Sequence, residues 1–344
     1  MNSLQRSKII KIIFIVLLLF MLIPGSILIC YSILKSDVEI FNEDIPSIEM
    51  HLTSCGIDNI GNTCFFNACM QCILSLPAFV NYFSTETFNS ETQPISIAFK
   101  NFIEDYKKSE QSVNPKKFIE VLKGRETMAN LFNREAQDAS EYLIQFIETI
   151  HLEIVERETK SSNLTSEDIK NLDIIGRWFG IICEYSIKCQ ECENTIITNT
   201  LERFLKLNIT EGVQKSIDNF HQSVIINDKD YEWECRTQNC GNIIHLDTNS
   251  IKSTPRYLII YNRTLIIESN EDCNVKIYID QNIKINNTEY KLIGVIFYER
   301  RQRHYYAICN RNKWIIFNDA SYNQNAKFSA KSNSVYMLLY SQIY

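Results

Sequence analysis

The chain has 344 residues, 35 Lys and Arg against 41 Asp and Glu, a formal net charge of −6 and 45% hydrophobic side chains. That balance excludes a basic nucleic-acid-binding surface, so no nucleic-acid partner is expected, and it is compatible with a partner that carries a basic tail. The length allows one sizeable core plus an appendage, with no internal repeat.

The appendage comes first. Residues 1–11 are a short basic N-terminus with Arg6, Lys8 and Lys11, and residues 12–34 carry no charge at all. At 1.5 Å per residue that run covers about 34 Å, enough for about 30 Å of hydrocarbon, and predicts one transmembrane helix. Pro24-Gly25-Ser26 interrupts it, a kink that a bilayer tolerates. A cleaved signal peptide is the competing reading, but the run exceeds the usual stretch of about 7 to 15 apolar residues and the cleavage pattern is weak. A linker over 35–52 brings Asp37, Glu39, Glu43 and Asp44. By the positive-inside rule alone, these flanks would put the C-terminal domain outside the cytosol.

Next comes Gly56-Ile57-Asp58-Asn59-Ile60-Gly61-Asn62-Thr63-Cys64-Phe65-Phe66-Asn67-Ala68-Cys69-Met70-Gln71. Asn59, Gly61 and Asn62 suit a tight or left-handed turn and Thr63 an N-cap. Phe66, Met70, Ile73 and Leu74 recur at helical spacing until Pro77. Cys64 thus falls in a first helical turn, where free N–H groups and the positive end of the dipole favour thiolate and lower its pKa from about 8.5. An isolated cysteine would by default be an inert packing residue.

A helix is predicted from about Glu135 to Glu156, with Ala139, Leu143, Phe146, Ile147 and Ile150 as its apolar stripe. Asp138, Glu141 and Gln145 share another face, which suits an arginine-bearing peptide or simply solvent. Asn-rich stretches at 158–171 and 281–289 read as loops. Cys189-x2-Cys192 and Cys235-x4-Cys240 have the spacing of two knuckles closing one tetrahedral zinc site, with no open position for catalysis. Cys30, Cys55, Cys69, Cys72, Cys183, Cys273 and Cys309 show no such pairing and read as reduced packing residues.

Near the C-terminus His304–Asn310 reads as a strand, Asn310-Arg311-Asn312 as a turn and Lys313–Phe317 as the returning strand. A three-residue turn sets His304 opposite Asn318, whereas a two-residue turn sets it opposite Asp319. Neighbours on a strand point to opposite faces, so only one of the two can orient the imidazole. A thiol, an imidazole and an amide or carboxylate are thereby available for nucleophilic catalysis.

Three segments in this order resemble the ubiquitin-specific protease family of papain-like deubiquitinases, over roughly residues 55–344. They are the Gly56–Gln71 box, Gln137-Asp138-Ala139-Ser140-Glu141-Tyr142-Leu143, and Tyr290–Val295 through His304-Tyr305-Tyr306-Ala307 to Trp314–Asp319. The resemblance implies an α+β fold: a papain-like cysteine protease with a helical thumb, an antiparallel β palm and zinc-ribbon fingers at about 183–250. This catalytic domain would occupy 53–344, after the transmembrane helix.

It also implies a deubiquitinating thiol protease that hydrolyses isopeptide or peptide bonds at the C-terminal glycine of ubiquitin. Cys64 is then the nucleophile, His304 the general base and later acid, Asn318 its orienter, Asp319 a supporting acid and Asn59 an oxyanion donor. Asp138 and Glu141 would receive the basic ubiquitin tail, and Tyr305 would line the channel for its terminal glycines. Cys189, Cys192, Cys235 and Cys240 would hold a structural zinc. The implied partners are ubiquitin and ubiquitinated proteins, with the membrane reached through the N-terminal helix. Ubiquitin chemistry and unpaired thiols place the catalytic domain in the cytosol, on the outer mitochondrial or endoplasmic reticulum membrane, against the flank charges. Two departures stand out: Arg303 replaces the usual Gly before the histidine, and Phe65 the usual Tyr after the cysteine. The alternative function is a catalytically silent, membrane-anchored ubiquitin-binding scaffold.

Overall fold

A computed structural model describes residues 52, 54–133, 135–155, 165–226, 233–237, 239–267 and 276–343. The predicted transmembrane run, its basic flank and most of the linker lie outside these residues. Among the described residues no single helix is long and apolar enough to cross a membrane. Residues 50–344 form one compact unit.

The helical part follows a short strand, β1 (Gly56–Ile57). It contains α1 (Cys64–Ile73), α2 (Pro77–Thr85), α3 (Pro94–Lys108), β2 (Ser112–Val113), α4 (Lys116–Leu122), α5 (Ala139–Val155), α6 (Ser166–Asn171) and α7 (Ile174–Phe179). Pro77 and Pro94 open α2 and α3, where a missing N–H costs nothing. All ten residues of α1 are buried, so it is a central helix rather than the amphipathic surface helix its spacing suggests. Phe65 and Phe66 explain this: their rings meet Phe102, Phe118, Phe132 and Tyr142 from the surrounding helices.

The β part contains β3 (Ile181–Cys189), β4 (Thr195–Glu202), β5 (Leu205–Leu207), helix α8 (Val213–Phe220), β6 (Val224–Ile226), β7 (His245–Ser253), β8 (Tyr257–Asn262) and β9 (Ile277–Tyr278). It ends with β10 (Asn282–Ile285), β11 (Thr288–Glu299), β12 (His304–Asn310), β13 (Trp314–Asn318), β14 (Ser321–Asn323), β15 (Lys331–Ser332) and β16 (Val335–Gln342). The main sheet runs β14-β13-β12-β11-β16-β8-β5, with β10 on β11; only the β5–β8 pairing is parallel. A second sheet, β4-β3-β7-β6, projects as the fingers. Helix α1 lies between the helices and the main sheet, packing on α5 and on β11 and β12. Gly294 makes that approach possible: it sits at a bulge in β11, and a Cβ there would come within 2.9 Å of Cys72 Sγ.

Several sequence expectations are corrected. The 158–171 stretch ends in α6, whose Thr165 and Asp168 form a reciprocal capping box. The 281–289 stretch is mostly strand: Ile283 and Ile285 alternate inward on β10, and β11 begins at Thr288. The hairpin turn is Arg311-Asn312-Lys313, with Asn310 paired to Trp314 and Ala307 to Phe317. Asn318 is therefore offset by two residues from the position opposite His304. An even offset preserves the face, so both side chains still lie on one side of the sheet.

Candidate active site

The turn before α1 is organised by Asn59. Its Oδ1 accepts from Gly61 N and Thr63 N, both at 3.1 Å, while Gly61 and Asn62 take positive φ. Thr63 is the N-cap, yet its hydroxyl does not cap the helix; it accepts from Ile60 N at 3.1 Å and closes the turn instead. Cys64 is the first residue of α1 and is buried. Its thiol is pushed above the ordinary value of 9.0, the opposite of the helix-terminus expectation, because burial outweighs the N–H groups of Tyr305, Phe65 and Cys64 that favour thiolate. The Asp319 charge pushes the same way as burial.

The Tyr305 backbone is among the groups that favour the thiolate, and α1 packs on β12, so the thiol lies near the first residues of β12. His304 Nε2 and Asn318 Oδ1 are 2.7 Å apart. An amide oxygen only accepts, so Nε2 carries a proton, and in the neutral ring Nδ1 is then the nitrogen with the lone pair. Asp319 does a different job. Its carboxylate accepts from Asn59 Nδ2 at 2.9 Å and from Asn67 Nδ2 at 2.7 Å. A left-handed φ of 51° at Asp319 breaks the strand pleat, which lets Asn318 and Asp319 serve adjacent parts of one site. β1 locks this corner: Ile57 N donates to Asp319 O at 2.9 Å, and Gly56 has no room for a Cβ against Ala320 O.

Asn67 is a site residue that the sequence reading misses, although it lies one helical turn after Cys64 and that spacing could have found it. Both its amide hydrogens are used, one by Asp319 and one by Ile57 O.

Asp138 is the N-cap of α5 rather than part of a helix face, because the helix starts at Ala139, four residues later than predicted. Its carbonyl accepts from Tyr142 N, and its Oδ1 accepts from Ser140 N at 2.6 Å and Glu141 N at 3.2 Å. Tyr336 Oη also donates to Oδ1. Tyr336 packs on Tyr305 with ring centroids 5.2 Å apart, and Tyr298 packs on Tyr305 at 4.6 Å. Burial holds the phenols of Tyr305 and Tyr336 well above their ordinary range, so they act as neutral donors. Asp138 and Tyr305 are thus in one cluster, while Glu141 is exposed on the first turn of α5. Tyr336, on the last strand, carries no local sequence signal.

The four paired cysteines converge at the tip of the fingers, with all Sγ atoms within 4.8 Å of one another. Cys189 and Cys240 sulfurs are 3.7 Å apart and those of Cys192 and Cys235 3.5 Å, far beyond a disulfide. Tetrahedral Zn–S bonds of about 2.3 Å require sulfurs about 3.8 Å apart, so the donor set fits zinc. The backbone N–H of Cys192 holds the Cys189 thiol down at about 6, while burial and the neighbouring cysteine side chains push Cys240 up to about 12. Cys55, Cys69, Cys72, Cys183 and Cys309 are buried free thiols.

The family model described as ubiquitin carboxyl-terminal hydrolase matches residues 55–340. Ubiquitin carboxyl-terminal hydrolase 8 of Saccharomyces cerevisiae is 24% identical over 343 residues, covering 86% of this chain and 72% of that protein. The mouse ubiquitin carboxyl-terminal hydrolase 17-like protein D is 26% identical over 185 residues, 53% of this chain; the match spans only 32% of the mouse protein's length. Among solved structures, a yeast SAGA DUBm superposes with a TM-score of 0.69 at 22% identity, over 87% of this chain and 71% of the other. A SAGA DUB module bound to monoubiquitin gives 0.65 at 19%, over 92% and 76%. These likenesses establish the fold, and the family match establishes kinship: the chain belongs to the ubiquitin carboxyl-terminal hydrolase family.

Proposed function

We propose that this chain is a deubiquitinating thiol protease that cleaves the bond after the C-terminal glycine of ubiquitin, with Cys64 as nucleophile. The observation that carries this is that the buried Cys64 thiol lies near Tyr305 on β12, next in sequence to an imidazole held 2.7 Å from Asn318 Oδ1. Burial keeps the sulfur protonated until it is needed. His304 Nδ1 removes the proton as sulfur attacks the isopeptide carbonyl, and the imidazolium keeps Asn318 on its other nitrogen. Negative charge then develops on the carbonyl oxygen. Cys64 N–H and the second Asn59 amide hydrogen are the donors for it, the first amide hydrogen being held by Asp319. His304 returns its proton to the departing lysine amine, giving a thioester, and then activates the water that hydrolyses it. Asp138, through its Oδ2, which has no partner among the described residues, and exposed Glu141 are the acids for a basic ubiquitin tail passing the Tyr305–Tyr336 cluster.

Zinc bound by Cys189, Cys192, Cys235 and Cys240 supports the fingers and takes no part in the chemistry. Residues 12–34 anchor the chain in a membrane, outer mitochondrial or endoplasmic reticulum, with the protease in the cytosol. Protease protection of intact organelles tests that topology; glycosylation at Asn208, in the sequon Asn208-Ile209-Thr210, would reverse it.

The activity itself is tested with ubiquitin bearing a C-terminal electrophile. A covalent adduct that Cys64→Ala removes is the expected result. A folded, zinc-loaded protein that binds ubiquitin without an adduct would instead be the scaffold, a reading favoured by Arg303 at the rim of the site.

A further inference from the structure

The hairpin that carries His304 and Asn318 turns at Arg311-Asn312-Lys313, and the turn does not face solvent alone. Arg311 reaches back to the end of α1. Its Nε donates to Ser75 Oγ at 2.8 Å, Nη1 to Tyr106 Oη at 2.8 Å, and Nη2 to Gln71 O at 3.0 Å and Gln71 Oε1 at 2.9 Å. Its guanidinium also lies 4.6 Å from the centroid of the Phe317 ring. Gln71, Ser75 and Tyr106 are buried, and every acceptor named is neutral. The cation sits at the carbonyl end of α1, where the helix dipole is negative. The same partners hold the entry to β1: Cys55 O accepts from Gln71 Nε2 at 2.8 Å and from Tyr106 Oη at 2.6 Å.

From these contacts we infer that Arg311 is a positioning residue that sets the Cys64–His304 geometry; the inference rests on the thiol-protease reading. Gln71 lies about 10 Å along α1 from Cys64. Arg311 lies about 23 Å along β12 from His304. The helix and the hairpin are rigid arms, and the guanidinium fork fixes them to each other at the ends far from the chemistry. Where Gly294 lets Cys72 and Cys309 sulfurs approach to 3.7 Å, the arms touch through apolar packing, which resists separation but not sliding. Four directional bonds from a planar fork remove the sliding freedom; a lysine, with a point charge and no fork, does not. A displacement of about 1 Å between nucleophile and base is enough to cost roughly 100-fold in rate.

The experiment compares the full-length protein with Arg311→Lys and Arg311→Ala, using two readouts. The first is hydrolysis of a fluorogenic ubiquitin amide. We expect kcat to fall roughly 10- to 100-fold in both variants, with KM within about threefold. The second is the pH profile of iodoacetamide alkylation at Cys64, followed on its own peptide. Its midpoint should move up in both variants as the imidazole loses register. A merely structural role would lower the melting temperature and leave this profile unchanged. Arg311→Lys keeps the charge and the aliphatic stem, so it decides the question if Arg311→Ala does not fold. Wild-type kcat with a wild-type alkylation profile in Arg311→Lys overturns the inference. If the wild-type protein hydrolysed no ubiquitin, the functional reading would fail, while the alkylation profile would still report whether Arg311 couples thiol to imidazole.

Discussion

The fingers and the candidate active site hold their cysteines by opposite means. Around Cys64 every residue of α1 is buried among aromatic rings, and the site is assembled from both ends of the chain by packing and hydrogen bonds. In the fingers Ile197 is 58% exposed and Ile225 62%, and β4 has no buried residue. A sheet so thinly covered has little apolar core to hold it, and its tip is where four thiols converge. The two environments also act on thiols differently: burial raises Cys64, whereas in the fingers backbone N–H groups lower Cys189 and Cys192 while Cys240 is pushed up to about 12. On the proposed mechanism, Cys64 stays neutral until His304 takes its proton, while the finger cysteines form a cluster that fits a metal.

The sharpest way to test this contrast is to remove each sulfur in turn. Cys64→Ala should reduce ubiquitin-amide hydrolysis by at least about 10⁴-fold and leave the melting temperature nearly unchanged, since it removes a single sulfur atom. In His304→Ala, the midpoint of Cys64 alkylation should move up in pH, because burial raises the thiol and no imidazole takes its proton. Alkylation at neutral pH in that variant would mean that the helix terminus alone activates the sulfur. Chelation of the metal, or Cys235→Ser, should unfold the fingers and weaken ubiquitin binding by roughly 100-fold while Cys64 remains alkylated at its wild-type rate. If chelation also abolished alkylation, the two regions would not be independently supported.

The next test lies inside the site. Asn318→Ala should lower kcat roughly 10- to 100-fold through loss of imidazole orientation, with KM little changed. Asp319→Asn should act differently: it removes the charge that accepts from Asn59 and Asn67, so the oxyanion donor, not the base, loses its aim. In that variant the alkylation profile of Cys64 should move down in pH, since the Asp319 carboxylate raises the thiol. An upward shift would show that Asp319 also supports His304.

How much of this is legible in the sequence follows from the range of the interactions. The Gly61-Asn62-Thr63 turn and the periodic apolar residues behind it are local signals, so the position of Cys64 can be read directly. The shared face of His304 and Asn318 is readable because strand parity survives an even register error. The turn itself falls one residue further along than the sequence suggests, with Asn312 in the left-handed region at φ 68° and Arg311 bonded to Ser75 beyond α1. Asp319 cannot be assigned by pleat arithmetic, because its left-handed φ leaves the strand at that residue. Tyr336 and Tyr106 reach the site and its support across tertiary contacts that leave no mark on neighbouring sequence. The strand β10 is hidden by its Asn-rich flank, although Ile283 and Ile285 already alternate.

The smallest expected effect concerns Arg303, which precedes the base at φ 51° and ψ 45°. An L-residue with a Cβ held in this left-handed region costs about 1–2 kcal/mol relative to its favoured backbone. Glycine would relieve that strain but would add unfolded-state entropy worth about 0.4–1 kcal/mol. Arg303→Gly should therefore stabilise the protein only slightly, by about 0.5 kcal/mol, and change kcat by less than about threefold. Thermal melting beside a ubiquitin-amide assay reads both. A loss of more than about tenfold in kcat/KM with an unchanged melting temperature would mean that the exposed Arg303 side chain contacts the substrate. A gain of similar size would mean that the left-handed arginine restrains access to His304, and would make its replacement by glycine a route to a faster enzyme.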